Sequence, residues 1–188
     1  MALDRAAVRR TLAAVLAAVP GAEFRLVGTA SCVLRGIDMP ASDIDVLLRA
    51  RSSVDEWAAA LADVGAVTDG PVWLADGDQY FARAAVDGVI VELSTVEVAT
   101  ETDAAECVGA GPWLHFDSVP CGELSVPAVA LELRLVTEVA RRRVDRWRPI
   151  VEHFQTRPCD LALVERGLRA SSTPPSEIAT IVASLDAS

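Results

Sequence analysis

The chain has 188 residues, of which 52% are hydrophobic, and this length and composition suit a single core with a small helical appendage. Its net charge of −10 argues against a broad surface for duplex DNA, because such a surface needs a basic face. No run of about 18 apolar residues occurs, so we expect no membrane span.

The first segment is predicted to be an amphipathic helix. Asp4 stands too early for a signal peptide, so we expect a cytoplasmic protein. Apolar residues recur at helical spacing, at Val8, Leu12, Val15, Leu16 and Val19. We expect Asp4 to open this helix and Pro20-Gly21 to end it.

The next elements are predicted to alternate between strands and helices. Phe24 to Val27 is a short apolar strand, and a short helix is expected from residue 29 to about residue 35. Asp43 to Arg49 is the second strand. A helix follows over "SSVDEWAAALADVGA", and we expect Ser52 or Ser53 to cap it and Gly65 to end it.

A β-hairpin is predicted over "QYFARAAVDGVIVELSTVEV". Asp87-Gly88 favours a tight turn between two β-type runs. Because side chains alternate along a strand, Val89, Val91 and Leu93 face one way and Glu92 faces the other. Glu92 is therefore an acid in the middle of a strand.

The C-terminal part is predicted to be helical. Residues 109 to 125 are rich in Gly and Pro, which indicates a connection with at most one short strand. We expect helices opening at Pro127, from Asp145 to Phe154, after Pro158, and from Thr173-Pro174-Pro175. The chain is thus divided into a catalytic segment, 1–124, and a helical segment, 125–188, packed on it.

Asp43 and Asp45 stand two residues apart within a strand, so their side chains point to the same face. Two carboxylates so close repel each other unless a cation lies between them. With Glu92 on a neighbouring strand they would form a site for magnesium, which takes oxygen ligands and keeps several waters. Two such ions can activate an attacking hydroxyl and stabilise leaving pyrophosphate.

Gly28-Thr29 lies where the first strand gives way to a helix, so backbone N–H groups there would face an anion such as phosphate. Thr29 and Ser31 can add hydroxyl donors. The four cysteines are scattered and neither histidine has a second ligand at zinc spacing, so no zinc site is expected.

This pattern resembles the signature of the DNA polymerase beta-like nucleotidyltransferase superfamily. Its marks are Val27-Gly28-Thr29, then Asp43-Ile44-Asp45-Val46, and Glu92 in "VIVELST" as the third carboxylate. Arg35-Gly36 and the helical tail "LELRLVTEVARRRVDR" are similar to small members of that group. The resemblance implies an α/β fold with a mixed sheet flanked by helices.

The resemblance also implies transfer of a nucleoside monophosphate from an NTP to an acceptor hydroxyl. Asp43, Asp45 and Glu92 would hold two magnesium ions and carry the catalysis. Gly28, Thr29, Ser31 and Arg35 would contact the phosphates. These roles are expectations from the family pattern.

Three interpretations of the function stay open. In the first, the acceptor is a small cationic molecule such as an aminoglycoside-like compound, which suits the acidic chain. A tRNA end or a partner protein is the alternative, with the basic cluster as its contact: Arg141, Arg142, Arg143, Arg146 and Arg148. The third reading is a catalytically silent protein that binds a nucleotide or serves as a regulatory subunit.

Overall fold

The computed structural model describes residues 2–19, 21, 23–64, 66–75 and 78–186. The strands in this part of the chain are β1 (Phe24–Val27), β2 (Asp43–Leu48), β3 (Val67–Trp73), β4 (Gln79–Val86), β5 (Val89–Val96), β6 (Phe116–Cys121) and β7 (Leu124–Val129). The helices are α1 (Arg5–Ala18), α2 (Gly28–Leu34), α3 (Arg51–Asp63), α4 (Gly111–Leu114), α5 (Leu131–Ala140), α6 (Val144–Phe154), α7 (Leu161–Ala170) and α8 (Pro175–Asp186). None of these helices has the length and apolar character that a bilayer span requires.

The seven strands form one mixed sheet in the order β3-β4-β5-β2-β1-β7-β6. β2 runs parallel to β5 and β1 runs parallel to β7, while the other neighbouring pairs are antiparallel. The fold is therefore α/β with a mixed sheet, flanking helices and C-terminal helices, as the sequence predicts.

The two faces of the central strands differ in chemistry. Leu26, Ile44, Val46 and Leu93 lie on one face, and each is at most 1% exposed. They belong to a core cluster that includes the buried apolar stripes of α1 and α3, among them Val8, Leu12, Val54 and Trp57. Because side chains alternate along a strand, burying this face turns Asp43 and Asp45 to the other.

The first helix and the central hairpin form as predicted. Asp4 caps α1 with a carboxylate oxygen that accepts the N–H of Ala7 at 2.7 Å. The helix ends at Ala18, and Pro20 lies outside the described residues. The β4–β5 turn has positive φ at both Asp87 and Gly88, which is the backbone form that a two-residue hairpin favours.

The predicted cap of α3 is wrong. The helix begins at Arg51, so Ser52 and Ser53 lie within its first turn. Ala50 is the N-cap residue, and its carbonyl accepts the N–H of Ser53 at 3.1 Å. The extended backbone of Ala50 thus starts the helix without a side-chain cap. Gly65, the predicted stop, lies outside the described residues.

Residues 109 to 129 hold more strand than the sequence predicts. β6 and β7 form a hairpin, and Gly122, with a φ of +68°, lies in its turn. Pro127 does not open a helix, because it pairs with Ser118 inside β7, and the first helix of the C-terminal part starts at Leu131. β3 was also missed, since most of its side chains are exposed and show no apolar alternation.

The later helices agree with the sequence prediction. α6 spans Val144–Phe154, α7 starts after its capping residue Asp160, and α8 starts at Pro175. The division of the chain into segments 1–124 and 125–188 stays a prediction. The C-terminal helices begin after β7, at Leu131.

A buried arginine joins the helical segment to the loop that follows β5. Arg134 of α5 donates from Nη1 to Glu106 Oε2 at 2.8 Å and from Nη2 to Glu138 Oε1. The three side chains are at most 4% exposed. Burial is the largest influence and lowers the pKa of Arg134, but Glu106 together with Cys32 and Cys107 raises it above its usual value. The loop and α5 are therefore held together by buried ionic contacts.

Replacing Arg134 with methionine should lower the free energy of unfolding by about 3–5 kcal/mol, because two buried carboxylates lose their partner. Urea denaturation at pH 8 measures this loss. The triple variant E106Q/R134M/E138Q removes all three charges together and should recover at least half of the lost stability.

The matched control is Arg169→Met, which breaks the exposed i,i+4 pair with Glu165 and should cost about 1 kcal/mol or less. Equal losses in the Arg134 and Arg169 variants would show that the buried contacts are no more important than a surface pair.

Candidate active site

Three predicted acids lie on one face of the sheet. Asp45 of β2 is in register with Glu92 of β5, and Asp43 precedes it by two residues on the same face. Register partners on neighbouring strands project to the same side of a sheet, so Glu92 stands beside Asp45. On the far side of Glu92, Arg83 of β4 is its next register partner.

The pKa of Asp45 is raised to about 7. Burial is the largest cause, the charges of Asp43, Glu92 and Glu106 act in the same direction, and Arg134 acts in the opposite direction. A carboxylate with that pKa has too little positive charge around it at neutral pH. The face therefore offers a place for a cation.

The sequence predicts that Asp43, Asp45 and Glu92 converge within a few ångströms, but the structure does not gather them into a preformed metal cluster. Within the described ranges, no three Asp, Glu, His or Cys side chains are close enough to hold a metal ion. Glu92 Oε1 instead accepts from Arg83 Nη2 at 2.8 Å and Nε at 3.2 Å. β4 lies on the opposite side of β5 from β2, so Glu92 is paired with an arginine of the strand that does not carry the aspartates.

Gly28 brings the first turn of α2 against Asp45. Its φ is +67°, which side chains disfavour, and a Cβ here would overlap the carboxylate of Asp45. The N–H of Gly28 donates to Glu106 Oε1 at 2.9 Å. The donor that the sequence assigns to a phosphate is thus bound to a carboxylate of the chain itself.

Thr29 completes a closed set of contacts around this turn. Its hydroxyl oxygen accepts from Arg146 Nη1 at 3.0 Å, and the same nitrogen lies 3.8 Å from Glu138 Oε1. Glu138 is bound to Arg134, which is bound to Glu106. The contacts therefore run from Gly28 through two acids and two arginines back to Thr29.

The other two predicted phosphate ligands are engaged elsewhere. Ser31 is fully buried, and its hydroxyl donates to Gly28 O at 2.8 Å. Arg35 stands at the opposite end of α2, where Nη2 donates to Asp117 Oδ2 and to Val129 O, each at 2.7 Å. The structure does not bring their donors to the carboxylate face.

Sequence reasoning missed Glu106, Arg134 and the contact of Arg146 with Thr29. Arg134 and Glu138 did carry a signal, since an i,i+4 charge pair within an apolar helical stretch indicates buried partners. Glu106 carried none, because it lies in an irregular loop 78 residues from the glycine that it contacts.

The cysteines offer no competing nucleophile. All four are free thiols, and Cys32 and Cys121 are buried. Burial raises the pKa of Cys32 to about 11 and that of Cys159 to about 12, so both stay protonated at neutral pH.

One solved structure shows the fold. A Thermotoga maritima protein, provisionally described as a nucleotidyltransferase, superposes with a TM-score of 0.58 and 16% identity over 83% of this chain and 98% of its own. At that identity the likeness concerns the fold alone, and the chain has the nucleotidyltransferase fold. No family model and no curated protein matches the sequence.

Weaker likenesses have TM-scores below 0.5. The solution structure of the antibiotic-resistance factor ANT(2'')-Ia gives a TM-score of 0.47 at 12% identity, over 98% of this chain and 94% of its own. An antigenic nucleotidyltransferase-like protein from Paracoccidioides brasiliensis gives 0.48 at 12% identity, over 95% and 90%. At these scores neither likeness bears on the substrate.

Replacing Gly28 with alanine should destabilise the protein by at least about 2 kcal/mol more than Gly122→Ala. Both glycines have φ near +67°, but only at Gly28 would the new Cβ meet another group, the Asp45 carboxylate. Gly122→Ala should therefore cost only about 1 kcal/mol, from the backbone conformation. Urea denaturation measures both values, and equal losses would contradict the close approach of Gly28 to Asp45.

Replacing Asp45 with asparagine should stabilise the metal-free protein increasingly as the pH rises. The folded-state pKa of about 7 lies above the ordinary 3.8, so the protonated acid favours folding at low pH. That contribution disappears progressively as the pH rises through 7, at a cost of up to about 4 kcal/mol, which asparagine avoids.

The measurement is the free energy of unfolding from pH 4.5 to 8 with a chelator present. The stability difference between Asp45→Asn and the parent should grow with pH and level off above about pH 7. Asp63→Asn, an exposed acid at the end of α3, should show no such trend. A constant difference for Asp45→Asn would mean that Asp45 titrates as a solvated acid.

Proposed function

We propose that this chain transfers a nucleoside monophosphate group from a nucleoside triphosphate to an acceptor hydroxyl. The acceptor oxygen forms a bond to the α-phosphorus, the bond to the β-phosphate oxygen breaks, pyrophosphate leaves, and the acceptor hydroxyl loses its proton. The observation that supports this proposal is the pair Asp43 and Asp45 beside Glu92 on one sheet face, within a nucleotidyltransferase fold.

Asp43 and Asp45 are the proposed ligands of one or two magnesium ions. Carboxylate oxygens are the ligands that magnesium prefers, and a divalent cation would offset the burial and the neighbouring negative charges that raise the pKa of Asp45. Bound magnesium would neutralise the charge that develops on the transferring phosphate. The donor set thus fits the ion, and Glu92 would reach it by giving up its pair with Arg83.

Glu92 is proposed as a third ligand or as the base that takes the acceptor proton. In either role, the metal ion or the acceptor proton would compete with Arg83 for the Glu92 carboxylate.

Gly28 and Thr29 are proposed to contact the β- and γ-phosphates. A phosphate at this turn would compete with Glu106 for the N–H of Gly28, and it would lie near Arg146, which contacts Thr29. Ser31 and Arg35 are left out of the proposal, because their donors are occupied away from this face.

The proposed acceptor is a small cationic molecule. The net charge of −10 and the acids of the sheet face would attract a cation and repel a polyanion. A nucleic-acid acceptor would need the exposed arginines around α6, and its binding would weaken steeply with added salt.

The test incubates the protein with each labelled NTP, magnesium and a panel of aminoglycosides, tRNA and proteins, and measures pyrophosphate release. Asp43→Asn and Asp45→Asn should each lower turnover at least about a hundredfold, because each removes charge from the proposed metal site. Asp63→Asn has the same change in charge on an exposed residue of α3 and should keep parental activity.

Thermal unfolding separates the catalytic from the silent interpretation. Magnesium should raise the melting temperature of the parent and leave that of Asp43→Asn unchanged, because only the parent binds the ion in its folded state. Magnesium-dependent NTP binding without transfer to any acceptor would favour a silent nucleotide-binding protein. Absence of NTP binding would contradict both interpretations.

A further inference from the structure

A cavity of about 460 Å³ lies at the end of α2 away from the carboxylate face. α2 has seven residues, so its ends are about 10 Å apart at 1.5 Å per residue. Residues from α1, β6 and the start of α5 line this cavity together with the end of α6. It is therefore separate from Asp43, Asp45 and Glu92.

Three arginines from different parts of the chain reach this cavity: Arg5, Arg35 and Arg157. Arg35 is bound to Asp117 and to Val129 O. The guanidiniums of Arg5 and Arg157 make no hydrogen bond or ion pair with any residue that the structure describes. Arg5 Nη1 lies 3.7 Å from where a Cβ on Gly36 would stand, next to Arg35 in the chain. Two guanidiniums are thus available to a ligand.

The lining has three arginines and two acids, and neither acid is bound to Arg5 or Arg157. Asp117 accepts from Arg35 at 2.7 Å, and Glu132 Oε1 accepts the N–H of Asp160 at 3.0 Å. Burial lowers the pKa of His153, on the same wall, and the positive charges of Arg157 and Arg35 lower it further. The lining of this concave surface therefore carries an excess of positive charge, in a chain whose net charge is −10.

We propose that this cavity binds a small organic phosphate. A phosphate dianion matches two free guanidiniums, which donate to its oxygens in the paired geometry that arginine favours. The apolar side chains of Val119, Leu131 and Phe154 line the same cavity and would contact the organic part. The site uses no residue of the proposed nucleotide transfer, and it gives Arg35 a place in a binding site other than the one predicted from the sequence.

The test uses the two histidines of the chain as reporters in proton NMR. Phenyl phosphate titrated into the full chain should shift the ring signals of His153 saturably. The signals of His115, whose Nε2 lies 2.8 Å from Asp103 Oδ2 outside the cavity, should stay in place. No nucleotide or metal is present, so the result is independent of the proposed transfer reaction.

The double variant R5Q/R157Q should weaken phenyl phosphate binding at least about tenfold, because both charged donors are lost. Its matched control is R10Q/R148Q, which removes two exposed arginines of α1 and α6 outside the cavity and should bind like the parent. Equal weakening in both variants would indicate only a general loss of positive charge and would overturn the site.

Two further ligands test the chemistry. Benzoate should bind more weakly than phenyl phosphate, and neutral phenol should not shift His153. Benzoate or phenol binding as tightly as phenyl phosphate would overturn the phosphate assignment. Absence of a saturable His153 shift at millimolar phenyl phosphate would overturn the cavity as an anion site.

Discussion

The buried guanidinium of Arg134 is the interaction on which the arrangement of the site depends. A charge at 4% exposure is tolerated only when partners surround it, and Glu106 and Glu138 supply them from a loop and from the same helix. Glu106 extends the contacts to the N–H of Gly28, and Glu138 lies beside Arg146, which contacts Thr29. The first turn of α2, the loop after β5 and the C-terminal helices therefore hold one another in place.

Charge is distributed unevenly along α2. Its N-terminal end lies against Asp45 of β2, where burial and the neighbouring acids Asp43, Glu92 and Glu106 raise the pKa of Asp45. Its C-terminal end carries Arg35 beside the cavity lined by Arg5 and Arg157. A protein of net charge −10 thus presents one face to cations and one concave surface to anions. Because the helix is short and fully buried, the two environments are close in space and separated by packed protein.

The sequence predicts best where a local pattern decides the structure. The hairpin turn at Asp87-Gly88, the cap at Asp4 and the shared face of Asp43 and Asp45 follow from backbone preferences and strand periodicity. Contacts between residues far apart in the chain could not be predicted from local patterns. The contact between Glu106 and Gly28 joins an irregular loop to a turn, and the ion pair of Arg83 with Glu92 depends on the strand register. The β6–β7 hairpin was missed because Gly122 and Pro127 favour loops and helix starts as strongly as strand ends.

The parallel pairing of β7 with β1 has a consequence for how the chain is made. The ribosome synthesises β1 early, but one of its two neighbours in the sheet, β7, is complete only at Val129. Until then β1 has an open edge, to which another unfinished chain can add a strand. A fragment ending at residue 124 would keep that edge open permanently and lose the buried Val129 and Leu133 that pack beside Val27. We therefore expect such a fragment to aggregate, although it carries all three acids of the sheet face.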